Sequence, residues 1–429
     1  MIASLIGFAA LFGLAFMGLP LVVSMLLVGA VGFGIFRGFD AAVAVVGQQI
    51  VDTASSYGFS VIPLFVLMGA LIHRGGLADD LFHAARAWLG HIPGGIAHAT
   101  IGASAAFSAV CGSSVATAAT MSRVSLPQLK RYDYEPGFAC GTVAAGGTLG
   151  ILIPPSIPLV IFGIMTETDI ASLFMAGGIP RLLLAFLYMV VAWLLVIRRP
   201  TLGRPAPAMP LRERLAAFRR TILIGVLFLV VLVGMYMGIF TPTEAAGVGA
   251  FGALILMALR GKATFTEIKA ALLETMLTTG AILAVVGAAL VFNNFLTISG
   301  LTAQLIGWIE GLSVSPLAVI GAICLIYLIL GCVFDSLAAM ILTVPVFTPI
   351  VTNLGYDPIW FGIIVAIVVE LGLITPPLGM NVFIVQNQAR QVSVWRIFAG
   401  VAPYIGANLL LLLLLVIFPA IVLLLPMLG

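Results

Sequence analysis

The sequence predicts an all-α polytopic membrane protein built from two inverted-topology repeats, each with a re-entrant helical hairpin and a transmembrane helix broken at a Pro-Pro pair. Three observations carry this prediction: the composition, an internal repeat and the positions of the basic residues. Of the 429 residues, 62% are hydrophobic and 8% are charged, and the mean hydropathy is +1.24. Soluble domains carry about 25% charged residues, so we expect about ten to thirteen membrane segments, some of half length.

The internal repeat becomes visible when the sequence is shifted by 222 positions. The stretch "GTLGILIPPSIPLV" (147–160) then falls on "VELGLITPPLGMNV" (369–382), so that Pro154-Pro155 meets Pro376-Pro377. The same shift pairs Ser114 with Ser336, and the agreement continues without a gap over about fifty residues. A shift of 224 pairs Gly76 with Gly300. The chain therefore contains two structural repeats.

The basic residues indicate that the two repeats face opposite ways. Repeat one carries Lys130-Arg131 after its first motif, whereas no Lys or Arg occurs between Leu301 and Ala389 in repeat two. Because cytoplasmic loops are enriched in Lys and Arg, the first polar break is expected inside the cell and the second outside. Seven of the 19 Lys and Arg lie between Arg198 and Arg220, which indicates a cytoplasmic linker and not a nucleic-acid site.

The predicted elements follow from these positions. Repeat one occupies 1–197, with a cytoplasm-open hairpin at 94–128 and a broken helix at 137–166; the basic linker is 198–220; repeat two occupies 221–429, with a periplasm-open hairpin at 315–352 and a broken helix at 358–388. Scaffold spans are predicted at 59–72, 171–197, 221–240, 244–259 and 275–296. Each hairpin arm then reaches about the middle of the membrane at 1.5 Å per residue.

The proline pairs are the most informative feature. A proline inside a helix removes a backbone hydrogen bond, and unwound backbone at membrane depth is tolerated only inside protein or beside a polar cavity. Free N–H groups at half-helix starts attract an anion, and free carbonyls bind a cation. Hydroxyl, amide and carboxylate groups lie at these places: Ser113, Ser114, Thr117, Asp335, Thr375 and Asn381, with a flexible Gly379. One carboxylate among hydroxyls favours Na⁺, which prefers hard oxygen ligands, and hydroxyls and amide N–H groups suit an anionic solute.

At these residues the sequence resembles a known family. "SAVCGSSVATAATM", "GGTLGILIPPSIPLVIFGIMTETDIASLFMAGGIP" and "GLITPPLGMNVFIVQ" are similar to signature segments of the large membrane subunit of tripartite ATP-independent periplasmic (TRAP) transporters. The resemblance covers essentially the whole chain. It implies a multi-pass inner-membrane protein that is not an enzyme and that takes up an organic acid with a Na⁺ gradient by an elevator movement. Na⁺ is then the coupling ion, and no organic cofactor is expected.

The resemblance also implies partners and site residues. The partners are a periplasmic solute-binding protein, a small four-helix membrane subunit that we expect to be a separate chain, and the bilayer itself. The residues expected to line the solute cavity are Ser114, Thr117, Pro155, Ser156, Ser336, Pro377, Gly379 and Asn381. Those expected to bind Na⁺ through side chains or backbone carbonyls are Gly112, Ser113, Gly150, Pro154, Asp335, Gly372, Thr375 and Pro376.

Two charged residues have more than one interpretation. Glu370 is costly in an apolar run, and either it serves the site or it ties its helix to a neighbour. Arg181 departs from the family pattern, which more often has Gly after "IP". We expect it at the outer end of a span, as a snorkelling surface arginine or as a contact to the periplasmic partner. The four cysteines are expected to be small buried residues, and the four histidines to lie near the membrane interface.

Other functional classes remain. An intramembrane enzyme needs a nucleophile with a base, or a metal, and no His or Cys lies near Asp335 or the serines in the repeat alignment. A carrier that works alone, such as a Na⁺-coupled dicarboxylate carrier or a cation/proton antiporter with a similar inverted-repeat plan, is the principal alternative.

Overall fold

The computed structural model describes residues 2–152, 156–311 and 314–427 of the chain. Throughout these ranges the regular elements are helices. Eight of them are long and apolar enough to cross a membrane, and five shorter apolar helices accompany them. The predicted all-α polytopic membrane fold is therefore confirmed.

The helices fall into two series with connecting elements. The first half contains α1 (Ile2–Phe16), α2 (Leu21–Arg37), α3 (Phe39–Ser55), α4 (Val61–Arg74), α5 (Leu77–Leu89), α6 (Gly95–Cys111), α7 (Ser114–Arg131), α8 (Pro136–Gly147), α9 (Ile157–Thr166) and α10 (Ile170–Arg198). The second half contains α11 (Leu211–Tyr236), α12 (Pro242–Leu259), α13 (Phe265–Ile298), α14 (Leu301–Gly311), α15 (Pro316–Val333), α16 (Ser336–Asn353), α17 (Pro358–Gly372), α18 (Met380–Gln388), α19 (Val394–Ile417) and α20 (Ala420–Leu423).

The order of elements repeats from α4–α10 to α13–α19. In each series two helices are followed by two hairpin arms, two halves of an interrupted helix and a long closing helix. The short helices α5 and α14 follow Gly76 and Gly300, which both have a φ of 70°. Glycine adopts this left-handed conformation without the steric penalty of other residues. The shared conformation agrees with the sequence offset of 224.

One helix shows that the repeats have opposite orientations. Arg396, in the first turn of α19, forms an ion pair of 2.6 Å with Glu135 at the start of α8. In the last turn of α19, the carbonyl of Leu415 accepts a hydrogen bond of 2.9 Å from Nε1 of Trp360 at the start of α17. These contacts are separated by about 28 Å at 1.5 Å per residue. The two interrupted helices therefore begin at opposite membrane faces.

The repeats exchange half-helices at their centre. Helix α9, the second half of the first interrupted helix, packs against hairpin arm α16 of repeat two. In the same way α18 packs against hairpin arm α7 of repeat one. Along the chain, α9 follows α8 and α18 follows α17. The middle of the molecule is thus built jointly by both halves, and neither repeat could form it alone.

The interruptions have different boundaries and caps in the two repeats. Helix α8 ends at Gly147 and passes into a 3₁₀ turn at Thr148–Gly150; α9 then begins at Ile157 with Ser156 as its N-cap. The predicted break residues Pro154 and Pro155 lie outside the described residues. In repeat two, α17 ends at Gly372, and α18 begins after Gly379, which has a φ of 54°.

The linker between the halves lies across the open end of the first hairpin. After α10 ends at Arg198, the carbonyl of Leu202 accepts a hydrogen bond of 2.9 Å from the N–H of Glu135. The N–H of Ala206 donates to the carbonyl of Gly90 at 2.8 Å. The final part of the stretch predicted as a linker forms the first turns of α11, which begins at Leu211.

Candidate functional site

A cavity of about 470 Å³ lies between the two hairpin tips. It is lined by residues of α4, α6, α7, α9, α13, α16 and α18, so both repeats contribute to its wall. Its polar lining residues are His73, Cys111, Ser113, Ser114, Thr120, Arg123, Glu274, Thr278, Asp335 and Ser336. We therefore treat this cavity as the candidate solute site.

The first hairpin presents the start of a helix to this cavity. Helix α6 ends at Gly112 in a left-handed conformation with a φ of 65°, and the chain then reverses. The N-cap of α7 is Ser113, whose Oγ accepts the N–H of Ala116 at 3.3 Å. A helix start carries free N–H groups and a partial positive charge. The tip can therefore attract an anionic group.

The second hairpin presents the same arrangement with a carboxylate. Asp335 is the N-cap of α16, and its Oδ2 accepts the N–H of Leu337 at 3.3 Å. Its side chain is half-buried and lines the cavity beside Ser336. Hydroxyl side chains of both tips and the carboxylate of Asp335 thus line one space.

Two glycines allow the hairpins to approach the interrupted helices. A Cβ atom at Gly150 would lie 2.9 Å from the backbone N of Ser114. At the repeat-related position, a Cβ atom at Gly372 would lie 2.4 Å from the backbone carbon of Gly331, at the end of α15. Contacts below 3.0 Å are too short for a real side chain. Any residue larger than glycine at these positions would push a hairpin away from its interrupted helix.

The predicted site residues divide into two groups. The structure places Gly112, Ser113, Ser114, Asp335 and Ser336 in the cavity wall. Other predicted residues lie behind or beside the wall: Thr117, Ser156, Gly372, Gly379 and Asn381 are buried, Gly150 is buried against the Ser113–Ser114 tip, Thr375 is half-buried, and Pro376 and Pro377 are exposed. Pro154 and Pro155 belong to the part of the chain that is not described.

Glu370 joins the two repeats beneath the tip. It is 1% exposed, and its Oε1 accepts a hydrogen bond of 2.5 Å from Oγ of Ser114. Its Oε2 has no hydrogen-bond partner among the described residues. Glu370 therefore ties α17 to a neighbouring helix, which is one of its two interpretations. That neighbour is α7, and α7 starts at the cavity.

The prediction for Arg181 was wrong. Helix α10 continues without interruption through Pro180, so Arg181 lies well inside the span and not at its outer end. The side chain is 0% exposed and donates hydrogen bonds to the carbonyl of Ala105 and to Oγ of Ser108, both on α6. It can therefore neither snorkel to the surface nor contact a periplasmic partner.

Sequence reasoning missed the end of the cavity that lies on the side of the basic loops. His73 contacts Thr120, with 3.1 Å between Nδ1 and Oγ1. Arg123 lines the cavity, is exposed and has no ion pair among the described residues. The sequence did contain a signal for this end of the cavity, namely the helical spacing that places Ser113, Thr120 and Arg123 on one face of α7. His98 is buried in the first turn of α6.

An acidic residue on α13 lines the same cavity as His73 and Arg123. Glu274 lines the cavity and forms an ion pair of 2.9 Å with Arg74 at the end of α4. Arg74 also pairs with Glu267 at 3.1 Å. The ion pairs join α4 to α13, the two corresponding helices of the repeats, whereas Arg123 has no ion pair within the described part of the chain.

The cysteines do not all occupy a packed core. Cys140 and Cys332 are buried, whereas Cys111 and Cys324 are half-buried. Cys111 ends α6 and lines the cavity next to the tip. The expectation of small buried residues therefore fails at Cys111, which provides a natural thiol in the candidate site.

Comparisons with known proteins identify the family of the chain. Residues 8–421 match the family described as "Tripartite ATP-independent periplasmic transporter, DctM component". The chain is 36% identical over 382 residues to a C4-dicarboxylate TRAP transporter large permease of Pseudomonas aeruginosa, covering 88% of each protein. It is 32% identical over 433 residues to a sialic acid TRAP transporter large permease of Vibrio cholerae, covering 99% of this chain and 98% of that protein.

A solved structure supports the fold. The chain resembles the crystal structure of the YdaH transporter of Alcanivorax borkumensis with a TM-score of 0.63, over 89% of each chain. Sequence identity is 16%, so this likeness concerns the fold alone.

Proposed function

Because the chain belongs to the DctM component family of TRAP transporters, we propose that it moves a small organic acid into the cell together with Na⁺. Family membership establishes a multi-pass inner-membrane permease for secondary solute uptake, which is not an enzyme and works with a small membrane subunit and a periplasmic binding protein. The coupling ion, the solute class and the mode of movement are the proposal. The cavity between the hairpin tips is the observation that carries it.

Two features of this cavity favour a carboxylate solute, although the wall also contains the acidic residues Asp335 and Glu274. The helix start at Ser114 supplies N–H groups and a partial positive charge, and Arg123 adds an unpaired cation to the wall. Relatives are named for C4-dicarboxylates and for sialic acid, and both solutes carry carboxylates. A cavity of about 470 Å³ accommodates an acid of either size.

Na⁺ is the proposed driving ion because oxygen atoms dominate the tips. The predicted donors Ser113 and Asp335 lie in the wall of the same cavity. Backbone at Gly150 packs directly against Ser114, and backbone at Gly372 packs directly against Gly331 at the end of α15, so carbonyl groups of the interrupted helices are further candidate ligands. Na⁺ bound here would reduce the electrostatic repulsion between Asp335 and an incoming carboxylate.

An elevator movement is the proposed means of access. Hairpins and interrupted helices pack on one another across the repeats, whereas α4 packs on α12 and α2 packs on α13. The hairpins and interrupted helices would move as a block against the group that contains α2, α4, α12 and α13.

A crosslink between the two groups tests this movement. Arg123 on α7 and Glu274 on α13 line the same cavity from the two groups, so a disulfide between R123C and E274C should stop uptake until it is reduced. Uptake that continues with the disulfide formed would contradict the elevator.

The transport experiment uses the protein with both partners. A thermal-shift screen of the binding protein with C4-dicarboxylates, sialic acid, sugar acids and keto acids identifies the solute. Proteoliposomes containing both membrane subunits are then loaded without Na⁺, and uptake of that radiolabelled solute is measured after adding external Na⁺ and the binding protein. We expect accumulation that requires both additions. Accumulation that is indifferent to the Na⁺ gradient refutes the coupling ion.

The same vesicles test the alternative of a carrier that works alone. The likeness to YdaH shows that the fold occurs in more distant transporters. Full-rate uptake of free solute without the binding protein would favour that alternative, and exchange of Na⁺ for protons without solute would favour a cation/proton antiporter. Dependence on the binding protein supports the tripartite mechanism.

A further inference from the structure

A cluster of buried polar side chains lies outside the cavity, where the closing helices of both repeats meet the first interrupted helix. The cluster contains Tyr188 of α10, Tyr404 and Asn408 of α19, Thr142 of α8, and Thr148 of the 3₁₀ turn that follows α8. Each of these residues is 0% exposed. Because a buried hydroxyl costs free energy unless it forms a hydrogen bond, the partners of these groups constrain how the helices fit together.

The hydrogen bonds around Tyr188 have one consistent direction. The hydroxyl of Thr148 donates to the carbonyl of Ala145 at 2.7 Å, and this bond uses its only proton. The proton in the 3.0 Å contact between Thr148 and Tyr188 therefore comes from the tyrosine. Nδ2 of Asn408 in turn donates to the Tyr188 oxygen at 3.2 Å. A chain of hydrogen bonds thus runs from α19 through α10 to the interruption.

Tyr404 forms the corresponding bond nearer the start of the same helix. The hydroxyl of Thr142 donates to the carbonyl of Phe138 at 2.8 Å, so Tyr404 is the donor in its 2.8 Å contact with Thr142. The rings of Tyr188 and Tyr404 pack edge to face, with centroids 5.3 Å apart. Two tyrosines therefore hold one interrupted helix, Tyr404 within regular α8 and Tyr188 at the turn where α8 ends.

The turn held by Tyr188 is the part of the interrupted helix that meets the first hairpin. Among the described residues, Tyr188 is the only side chain of another helix that forms a hydrogen bond with the turn Thr148–Gly150. The turn packs against α6 and α7, the two arms of the hairpin, and Gly150 lies directly against Ser114. Backbone that leaves a helix at membrane depth needs partners within the protein, and Tyr188 supplies one through Thr148.

We propose that Tyr188 is a positioning residue for the first interruption: its hydroxyl fixes Thr148, and the turn then sets how closely Gly150 approaches the tip at Ser114. Tyr404 does not share this role, because the backbone hydrogen bonds of regular helix already fix the position of its partner. A displaced tip would change the binding of solute and Na⁺, and this consequence alone rests on the proposed function.

The variants Y188F and Y404F form a matched pair, since each removes one buried hydroxyl and keeps the ring. Cys111 lines the cavity next to the tip, so its rate of alkylation by N-ethylmaleimide reports on the tip without solute or Na⁺. Well below the unfolding temperature, Y188F should change this rate severalfold, and Y404F should leave it unchanged. The full chain is purified with its small membrane subunit, and the other three cysteines are replaced by Ala in every sample: Cys140, Cys324 and Cys332.

Unfolding temperatures show whether the effect is specific. Each variant loses a hydrogen bond of a buried hydroxyl, so we expect a decrease of about 2–5 °C for both. A change of Cys111 alkylation in Y188F alone then cannot come from general destabilisation. An unchanged rate in Y188F, or an equal change in Y404F, overturns the proposal.

Substitutions of Thr148 test the same bond from the turn. T148V removes the hydroxyl and should alter the alkylation rate as Y188F does, whereas T148S keeps the hydroxyl and should retain the original rate. An unchanged rate in T148V, or equal changes in T148V and T148S, contradicts the positioning role. If neither Y188F nor T148V folds while Y404F does, the bond is required for folding and the positioning role is refuted.

Transport separates this inference from the proposed function. In proteoliposomes with both membrane subunits and the binding protein, Y188F should raise the Na⁺ concentration for half-maximal uptake severalfold, and Y404F should not. Uptake by the wild type that ignores Na⁺ would refute the coupling ion, but the alkylation rates would still decide the role of Tyr188. A Na⁺ dependence identical in Y188F and wild type would show that the turn does not control the site.

Discussion

The hydroxyl of Ser114 donates a 2.5 Å hydrogen bond to the carboxylate of Glu370, although the two residues are 256 positions apart. Ser114 begins α7, the second arm of the first hairpin, and Glu370 lies near the end of α17, just before the interruption of repeat two. This bond is a direct connection between the repeats beneath the candidate solute site. The assembly of that site therefore depends on contacts that neither half of the chain contains.

Replacing Ser114 with Ala should destabilise the protein and weaken solute binding. The change leaves a buried carboxylate oxygen without its donor, and a hydrogen bond to a charged group contributes about 1.5–3 kcal/mol. Chemical unfolding in detergent measures the free energy of unfolding. S125A is the matched control, because Ser125 is buried on the same helix and its hydroxyl has no partner among the described residues. Equal losses in S114A and S125A would contradict the importance of the bond.

Asp335→Asn should abolish Na⁺ coupling and leave the folded protein nearly intact. Asn caps a helix about as well as Asp, so α16 should still begin at Ser336, while the negative charge for the cation is lost. Na⁺-dependent uptake in proteoliposomes and the unfolding temperature are the two measurements. D357N makes the same substitution at the N-cap of α17 and should retain coupling. Normal Na⁺-driven uptake by D335N would remove Asp335 from the ion site.

Gly150→Ala and Gly372→Ala should each impair transport, although each substitution adds only one methyl group. The added methyl groups would lie 2.9 Å and 2.4 Å from backbone atoms of the hairpins, and backbone cannot yield as a flexible side chain does. We expect losses of about 1–3 kcal/mol in stability together with reduced uptake. G247A, at a helical position with open space around it, should be neutral or slightly stabilising. Wild-type behaviour of G150A and G372A would show that these close contacts are not required.

Arg123→Gln should raise the KM for a carboxylate solute. Removing the unpaired cation from the cavity wall loses a charge-assisted contact, and we expect about a tenfold increase, equivalent to about 1.4 kcal/mol. R131Q neutralises an exposed arginine at the end of the same helix, outside the cavity. An identical KM in R123Q and wild type would show that Arg123 does not contact the solute.

The ion pair of Glu135 and Arg396 predicts a pH-dependent contribution to stability. Partial burial opposes ionisation, but N–H groups of Phe138 and Gly137 and the Arg396 guanidinium outweigh it and lower the pKa of Glu135 below its usual 4.5. A lowered pKa stabilises the folded state above pH 4.5, and this contribution disappears as the pH falls through the lowered value.

The test compares unfolding temperatures of wild type and E135Q between neutral pH and the acid range. E135Q should be less stable at neutral pH, by about 1 kcal/mol because Glu135 and Arg396 remain partly exposed. The difference should narrow as the pH falls below 4.5. A difference that is constant with pH would indicate that the carboxylate charge is not responsible. E213Q, at an exposed position in the first turn of α11, should show no such difference.

The architecture was predictable from the sequence because its signals are local or periodic. A proline removes a backbone hydrogen bond from a helix, a pattern that recurs after 222 positions is visible by alignment, and basic residues mark cytoplasmic loops. The tip residues Ser113 and Asp335 were predictable for the same reason, since each one caps the second arm of its hairpin.

Only the tertiary structure decided which side chains meet. Membrane helices are apolar on most faces, so hydrophobic periodicity does not reveal which face of α7 or α10 turns toward a neighbour. For this reason Arg123 was overlooked in the cavity and Arg181 was wrongly expected at the surface. The sequence by itself determined where the chain is interrupted and how its halves are oriented. Packing between the halves determined that Ser114 meets Glu370, because that depends on a contact between residues far apart in the chain.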